Sequence, residues 1–125
     1  MIIGIGIDII EAKRIKNAIE KNKRFLTRVF TGKEIEYCES MHIPSLHYAA
    51  RFSAKEAFIK AIGTGFRYGI KWTEIEVIKD ELGKPEIVLY GKAKETFNNL
   101  GGKNINLSLS HSKEYGSAVV IIESF

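Results

Sequence analysis

Asp8 is the first residue that suggests chemistry, because it interrupts Met1 to Ile10, a segment that is otherwise apolar and rich in isoleucine. A carboxylate in such a segment costs several kcal/mol to bury unless it is paired, hydrogen-bonded or bound to a cation. Two interpretations remain open: a cation-binding carboxylate, or an N-cap for a helix that begins near Glu11. A dinucleotide-binding fingerprint is excluded, because Gly4-Ile5-Gly6 lacks the third glycine and the strand continues past it.

Glu56 is the second such residue and lies in the segment Arg51 to Ala61. Helical spacing aligns Phe52, Glu56 and Lys60 along one line, while small apolar residues occupy the core-facing side of the same helix. A functional carboxylate and amine would fit this pattern. Taken alone, however, the segment is more typical of a surface ion pair between Glu56 and Lys60, which contributes only a few tenths of a kcal/mol.

A serine- and histidine-containing segment, Leu107 to Ser112, is the third. Strand alternation places Ser108 and Ser110 on one face and His111 at the end of the strand. A serine hydrolase is conceivable from these residue types. Ser110 and His111 would nevertheless be a poor nucleophile and base pair, because adjacent residues on a strand point to opposite faces.

The single cysteine, Cys38, excludes an intramolecular disulfide and a cysteine metal cluster, and it predicts a cytoplasmic protein. His42 follows it by four residues on a predicted helix. A thiol and base pair is possible at that spacing, but a buried cysteine and a surface histidine are favoured. We expect neither a membrane span nor a secretory signal, because the chain lacks an apolar run of about 18 residues and a basic leader.

Basic residues are concentrated between Glu11 and Lys33, within a chain of 125 residues whose formal net charge is +4. Eight lysines and arginines stand there against two glutamates. Such a cluster attracts nucleic acid, a phosphorylated ligand or an acidic protein, although a solvated helix face has the same composition. A nucleic-acid-binding module would leave Asp8 without a purpose, and the chain lacks interleaved aromatic residues for base stacking.

The elements that position these residues predict an α+β fold, in which a largely antiparallel sheet packs against one long helix in a single domain, residues 1–125. The predicted strands are Met1 to Ile10 (buried), Trp72 to Lys79, Glu86 to Tyr90, Ile105 to Ser110 and Gly116 to Glu123. The predicted helices are Glu11 to Ile19, Arg24 to Phe30, a helix capped by Thr31 and running through Met41, Ser45 to Ile62 opened by Pro44, and Gly91 to Leu100. Gly63-Thr64-Gly65 ends the long helix, whose core stripe is Leu46, Ala50, Ala54, Ala57, Phe58 and Ala61.

Taken together, three blocks of the chain resemble the holo-[acyl-carrier-protein] synthase family, the short bacterial form of the phosphopantetheinyl transferases. The resemblance runs from end to end. Its blocks are Gly4-Ile5-Gly6-Ile7-Asp8 through Arg14-Ile15, then Arg51-Phe52-Ser53-Ala54-Lys55-Glu56-Ala57 with Lys60-Ala61 and Gly63-Thr64-Gly65, and finally Ser108-Leu109-Ser110-His111 with Ala118-Val119-Val120-Ile121.

The resemblance implies the 4′-phosphopantetheinyl transferase fold and transfer of phosphopantetheine from coenzyme A to a serine of apo acyl carrier protein, a step that supports fatty acid biosynthesis. The second product would be adenosine 3′,5′-bisphosphate. It also implies Mg²⁺ held by Asp8 and Glu56, with Lys60 near the pyrophosphate of coenzyme A. A magnesium phosphohydrolase would use the same two carboxylates, and the general base stays open between Glu56 and a metal-bound water.

For the rest of the site, the resemblance implies that Arg51, Ser110 and His111 hold the nucleotide end and its 3′-phosphate. Gly63 and Gly65 would allow close backbone approach near the adenosine. An acidic carrier protein would dock on Arg14, Lys21, Arg24 and Arg28, with Phe25 as an apolar anchor. The resemblance further implies a homotrimer with active sites between subunits.

Overall fold

A computed structural model describes residues 1–124, with five strands and five helices in the order that the sequence predicts. The strands are β1 (Ile2–Glu11), β2 (Ile75–Lys79), β3 (Pro85–Leu89), β4 (Asn104–His111) and β5 (Tyr115–Glu123). The helices are α1 (Ala12–Lys21), α2 (Lys23–Val29), α3 (Gly32–Glu39), α4 (Pro44–Ile62) and α5 (Gly91–Asn99). Two 3-10 turns, Arg67–Gly69 and Trp72–Glu74, connect α4 to β2.

The strands form two antiparallel sheets, and the long helix α4 covers one face of the larger sheet. That sheet has the order β1-β5-β4, while β2 and β3 form a separate two-stranded hairpin. In the larger sheet Asp8 lies opposite Ala118, and Ser110 lies opposite Ser117. Helix α4 packs against β1, β5 and β4. The predicted α+β class, with antiparallel strands packed on one long helix, is confirmed.

Helix boundaries follow the capping residues in the sequence. Thr31 caps α3, because its hydroxyl accepts from the Glu34 amide while the Glu34 carboxylate accepts from the Thr31 amide. Pro44 is the first residue of α4, and Gly63 ends that helix with a left-handed φ of 75°. These three predictions are confirmed. No helix within residues 1–124 has the length and apolar character needed to cross a membrane.

The prediction that β1 is buried is wrong for its outer face. Ile5, Ile7 and Ile9 are 65%, 69% and 65% exposed, because no element within residues 1–124 covers the outer face of β1, which is also an edge strand. Sequence reasoning treated a continuous apolar run as two buried faces. The strand predicted from Trp72 also begins later, because a 3-10 turn precedes it and the Glu74 carboxylate accepts a hydrogen bond from the Lys71 amide.

Glycines on the inner face of β1 allow its backbone to lie directly against α4. A Cβ atom added at Gly6 would overlap the carbonyl oxygen of Ala57, and one added at Gly4 would overlap that of Ala61. The small residues Ala57 and Ala61 complete this contact and are buried. Strand and helix therefore pack at a separation that no larger residue at position 4 or 6 permits.

A buried ion pair ties α4 to the elements around it. Lys55 Nζ lies 2.8 Å from Glu34 Oε1, and both side chains are fully buried. The ammonium also donates to the carbonyls of Val29 and Trp72, and Glu34 accepts from the Val77 amide. Burial lowers the pKa of Lys55, whereas the Glu34 carboxylate opposes that shift. One ion pair thus connects α4 with the end of α2, with α3 and with β2.

We predict that Lys55→Met destabilises the fold by about 3–5 kcal/mol, because it leaves the Glu34 carboxylate buried without its cation. Urea unfolding of the two proteins measures the difference. Lys94→Met is the matched control, since Lys94 is exposed on α5 and its loss should change stability by about 0.5 kcal/mol or less. Equal stability of the Lys55 variant and the parent would contradict the assigned role of the pair.

We also predict that Gly6→Ala destabilises the protein by about 1–3 kcal/mol or more, because the added methyl group forces β1 and α4 apart. Gly32→Ala is the control. Gly32 has open space around its Cβ position and lies in the first turn of α3, where alanine is tolerated. Thermal unfolding should separate the two variants, and similar melting temperatures for both would show that the close approach is not required.

Candidate active site

Asp8 lies on the inner face of β1, two residues beyond Gly6, and its side chain is 16% exposed. The two-residue period of the strand places it on the same side as the glycines that contact α4. The alternative that Asp8 caps α1 is wrong, because the N-cap position is Glu11 and no side chain caps that helix. The carboxylate is therefore directed to α4.

Lys60 pairs with Asp8 across the strand and helix contact. Its Nζ atom lies 3.2 Å from Asp8 Oδ1 and 3.0 Å from the carbonyl oxygen of Ile7. The alternative of an isolated surface ion pair between Glu56 and Lys60 is wrong, since Lys60 reaches to β1 instead. Half of the Lys60 side chain remains accessible, at 54% exposure, so the amine can also meet a ligand.

Glu56 stands one helical turn before Lys60 and close enough to Asp8 to repel it. Burial raises the pKa of Glu56, the negative charge of Asp8 raises it further, and Lys60 lowers it. Two carboxylates from separate elements therefore share one region with a single neighbouring ammonium. A cation placed there would relieve this repulsion.

The donor set suits a metal that takes few protein ligands. Within residues 1–124, no group of three or more histidine, cysteine, aspartate or glutamate side chains is arranged to hold a metal ion. Asp8 and Glu56 thus offer two carboxylates and no third side chain. Mg²⁺ is commonly held by one or two carboxylates, with water and substrate phosphates as its other ligands.

The carboxylates line an open cleft of about 430 Å³. Arg14 contributes a positive charge to this cleft, and Phe25 and Phe52 contribute an apolar wall. The predicted alignment of Phe52, Glu56 and Lys60 on one side of α4 is consistent with this, because all three residues line it. Two carboxylates, a cation and an apolar surface therefore lie side by side.

The other basic residues predicted to dock a carrier lie on α1 and α2, the helices that contribute Arg14 and Phe25 to this cleft. Lys21, Arg24 and Arg28 are exposed on α1 and α2, and Phe25 is half-buried between them. The Asn22 side chain accepts a hydrogen bond from the Arg24 amide, which caps α2 and fixes its start next to the end of α1.

Arg51, Ser110 and His111 are not brought to the cleft of Asp8 and Glu56. Arg51 is five positions before Glu56 on α4, about 140° around the helix axis. It is only 2% exposed, and its guanidinium carbon lies 4.1 Å from the centre of the Tyr37 ring. Ser110 and His111 are exposed at the end of β4. One chain therefore carries two separate groups of candidate residues.

Gly63 and Gly65 lie in the turn that follows α4, just beyond Lys60. Both have positive φ angles, 75° and 64°, which favour glycine. Apart from the adjoining residues, no atom of residues 1–124 comes within 4 Å of the position that a Cβ would occupy at either glycine. The backbone of this turn is therefore open to a ligand.

The two nucleophile and base pairs considered from the sequence are not supported. Cys38 is fully buried, and burial raises its pKa to about 12, whereas His42 is exposed. Within residues 1–124 no hydrogen bond joins Ser110 to His111, and the Ser110 carbonyl accepts from the Ser117 hydroxyl. Neither serine nor cysteine is activated by an adjacent base.

Sequence reasoning missed several charged residues. Lys55 and Glu34 were not recognised as a buried pair, although Thr31 was predicted to cap the helix that contains Glu34. His47 and Lys79, which surround the Tyr37 ring together with Arg51, carried no local signal. Their proximity depends on how α3, α4 and β2 meet, which no short motif encodes.

Comparison with known proteins agrees with this geometry. The sequence model of the 4′-phosphopantetheinyl transferase superfamily matches residues 4–120. Holo-[acyl-carrier-protein] synthase of Clostridium tetani is 53% identical over 98% of this chain and 97% of its own length. That of Geotalea daltonii is 46% identical over 98% and 99%, respectively.

Solved structures show the same fold. Holo-[acyl-carrier-protein] synthase of Neisseria meningitidis superimposes with a TM-score of 0.87 at 38% identity, covering 98% of this chain and 99% of that one. The holo-(acyl-carrier-protein) synthase of Bacillus anthracis in complex with CoA (3′,5′-ADP) gives a TM-score of 0.82 at 37% identity, covering 100% and 99%. By both sequence and structure, this chain belongs to the 4′-phosphopantetheinyl transferase superfamily.

Proposed function

We propose that this chain is a holo-[acyl-carrier-protein] synthase. It transfers the 4′-phosphopantetheine group of coenzyme A to a serine hydroxyl of an apo acyl carrier protein, and it leaves adenosine 3′,5′-bisphosphate. This activity supports fatty acid biosynthesis. The observation that carries the proposal is the juxtaposition of Asp8, Glu56 and Lys60 in one cleft, in a chain whose full-length relatives bear this name.

Asp8 and Glu56 would together hold Mg²⁺, which when bound neutralises the pyrophosphate and orients phosphorus for attack by the serine hydroxyl. The repulsion between these carboxylates in the unliganded chain favours uptake of a cation. Lys60 is positioned to add a point charge to the same pyrophosphate, because half of its side chain stays accessible beside Asp8. The proton of the attacking serine hydroxyl would pass either to Glu56 or to a water molecule held at the site.

Arg51, Ser110 and His111 would hold the nucleotide end of coenzyme A, and the turn at Gly63 and Gly65 would admit its adenosine. The Arg51 guanidinium would contribute its positive charge to the nucleotide from beneath the Tyr37 ring, which covers it. Because these residues lie apart from the Asp8 cleft, one chain supplies two incomplete halves of a site. A homotrimer, in which neighbouring chains bring unlike halves together, would complete three sites.

The exposed outer face of β1 supports this assembly. Ile5, Ile7 and Ile9 present apolar side chains to solvent, and adjacent chains would remove them from water.

A single domain spanning residues 1–125 and a location in the cytoplasm are further parts of the proposal. They are supported by the family match over residues 4–120 and by the single, buried cysteine.

The direct test is to incubate the chain with coenzyme A, Mg²⁺ and an apo acyl carrier protein, and to weigh the carrier by mass spectrometry. We expect the carrier to gain phosphopantetheine. A magnesium phosphohydrolase would instead cleave coenzyme A without modifying the carrier. An unmodified carrier in the presence of magnesium and intact enzyme would refute the proposed activity.

We predict that Glu56→Gln abolishes transfer yet raises the melting temperature of the metal-free protein. The pKa of Glu56 is higher in the folded than in the unfolded chain, so its charge costs stability above the folded pKa. Stability of the parent should rise as pH falls through that pKa, and the variant should lack this rise. Mg²⁺ should stabilise the parent more than the variant, as thermal unfolding with and without the ion will measure.

Glu86→Gln is the matched control, since Glu86 is exposed on β3 and far along the chain from the cleft residues. It should retain transfer and leave the magnesium response unchanged. If Glu56→Gln kept both transfer and full magnesium stabilisation, Glu56 would not be a metal ligand.

We predict that carrier docking runs through α1 and α2 and weakens as salt is added, because exposed charges are screened over about 8 Å at physiological ionic strength. Arg14→Glu and Arg24→Glu should raise the Michaelis constant for the carrier, since each replaces attraction by repulsion. The Michaelis constant for coenzyme A should change much less. Lys94→Glu, on α5, supplies the same charge change away from this surface.

Steady-state kinetics at several salt concentrations will decide this prediction. The two arginine variants should also show a smaller dependence of carrier affinity on salt than the parent. If they match the Lys94→Glu control in both measurements, the basic cluster is a solvated face and carrier docking occurs elsewhere.

A further inference from the structure

A continuous series of aromatic rings runs from the Asp8 cleft to the turn that follows α4. Phe25 and Phe52, which line the cleft, have ring centroids 6.3 Å apart. The Phe52 ring stacks on that of Trp72 at 5.0 Å, with 24° between the ring planes. The Trp72 ring also contacts that of Phe66, at 4.3 Å between centroids. We call Phe25, Phe52, Trp72 and Phe66 the aromatic series.

Trp72 is anchored to the protein core through its backbone. Its carbonyl oxygen accepts a hydrogen bond of 3.1 Å from Lys55 Nζ, and the Lys55 side chain is fully buried. The backbone at Trp72 is therefore attached to the buried ion pair, while its ring contacts both Phe52 and Phe66. Aromatic pairs attract each other beyond the effect of the area that they bury, so an anchored Trp72 ring favours one position for each of its neighbours.

Phe66 connects the aromatic series to the turn that follows α4, which the proposed function assigns to the adenosine and which we call the nucleotide turn. Phe66 directly follows Gly65, whose φ is 64°, and Gly63 has a φ of 75°. Glycine adopts either sign of φ at little cost, so these two residues alone do not hold the turn in one conformation. Phe66 is 37% exposed, and its contact with Trp72 holds this end of the turn against the core. A change in the turn therefore alters the packing of Trp72.

We propose that Trp72 is a positioning residue that couples the nucleotide turn to Phe25 and Phe52, so that coenzyme A and the carrier each bind more tightly in the presence of the other. The inference rests on the proposed function, in which the nucleotide turn meets the adenosine and Phe25 anchors the carrier. Neither substrate needs to touch Trp72 for this coupling, because its ring contacts one residue from each region, Phe52 in the cleft and Phe66 in the turn.

Shared ordering of the aromatic series is the physical basis of the coupling. A nucleotide bound at the turn restricts Phe66, and Phe66 then restricts the Trp72 ring on which Phe52 is stacked. A carrier that packs on Phe25 and Phe52 restricts the same ring from the cleft. The first substrate thus reduces the conformational entropy that is lost when the second binds, and by linkage the effect is equal in both directions.

Calorimetry with adenosine 3′,5′-bisphosphate as the probe measures this coupling without requiring transfer. The bisphosphate is titrated into the whole protein in the presence of Mg²⁺, first alone and then with saturating apo acyl carrier protein. The carrier should lower the Kd of the bisphosphate about tenfold, which is within the range usual for coupled sites. Equal Kd values with and without the carrier would overturn the proposal.

Trp72→Leu should reduce the effect of the carrier on the bisphosphate Kd to less than about twofold, whereas Trp72→Phe should retain most of it because a ring can still stack there. Phe97→Leu is the matched control, since Phe97 is a buried aromatic residue of α5 outside the aromatic series. It reports a general loss of core packing and should keep the full effect of the carrier. Full coupling in Trp72→Leu, or an equal loss in Phe97→Leu, would show that Trp72 does not have this role.

Fluorescence supplies a readout that a purely structural role would not change, because Trp72 is the only tryptophan of the chain. The bisphosphate should shift the emission of Trp72 in the parent. Phe66→Leu leaves Trp72 in place and should abolish both this shift and the coupling to the carrier. An emission that does not respond to the bisphosphate in the parent would contradict the link between the turn and Trp72. Should Trp72→Leu fail to fold, the Phe66→Leu variant still decides the matter.

Transfer and coupling together separate this inference from the proposed function. Coupled binding that depends on Trp72, in a protein that does not modify the carrier, would refute the proposed function and support the inference. Normal transfer by a parent protein whose Kd for the bisphosphate does not respond to the carrier would do the reverse.

Discussion

The backbone contact between β1 and α4 is the constraint on which the rest of the site depends. Gly4 and Gly6 let the strand lie against the carbonyls of Ala61 and Ala57, and Asp8 follows on the same strand face. Glu56 adjoins Ala57 in sequence, so the contact that fixes the helix also fixes the second carboxylate. The two carboxylates repel each other across this contact. Packing of glycine against alanine thus holds together an electrostatic arrangement that would otherwise separate.

The buried ion pair of Lys55 and Glu34 fixes the rotation of α4 about its own axis, whereas Gly4 and Gly6 fix the distance between α4 and β1. Lys55 is anchored by hydrogen bonds to α2, to α3 and to the 3-10 turn at Trp72, and each residue along a helix turns by about 100°. Anchoring Lys55 inside the core therefore directs Glu56, the next residue, toward the cleft. Lys55 and Glu56 are adjacent and opposite in charge, yet Lys55 is paired in the core whereas Glu56 lines the cleft. A Lys-Glu dipeptide in the sequence does not by itself reveal this difference.

Sequence patterns predicted what depends on local periodicity and motif, and they failed where tertiary neighbours decide. The element order, the cap at Thr31 and the helix end at Gly63 are local, and all are confirmed. The solvent exposure of Ile7 is not local, because it depends on whether another surface covers β1. The contacts of Tyr37 with His47, Arg51 and Lys79 are likewise not local, because they join α3, α4 and β2. Asp8 was recognised as anomalous, but only the structure shows that the N-cap position of α1 is Glu11 and that the Asp8 carboxylate pairs with Lys60.

The alternation of β1 links the site to the proposed assembly. Asp8 points inward to α4, while its neighbours Ile7 and Ile9 point outward to solvent. The same strand would therefore carry a metal ligand on one face and a contact surface on the other. Any chain that packs on the outer face lies within one strand thickness of Asp8, whereas Arg51 and His111 of the same chain do not line the Asp8 cleft. The proposed completion of the site by a neighbouring chain agrees with this arrangement better than a rearrangement of α4 would, because moving α4 would break both the glycine contact and the buried pair.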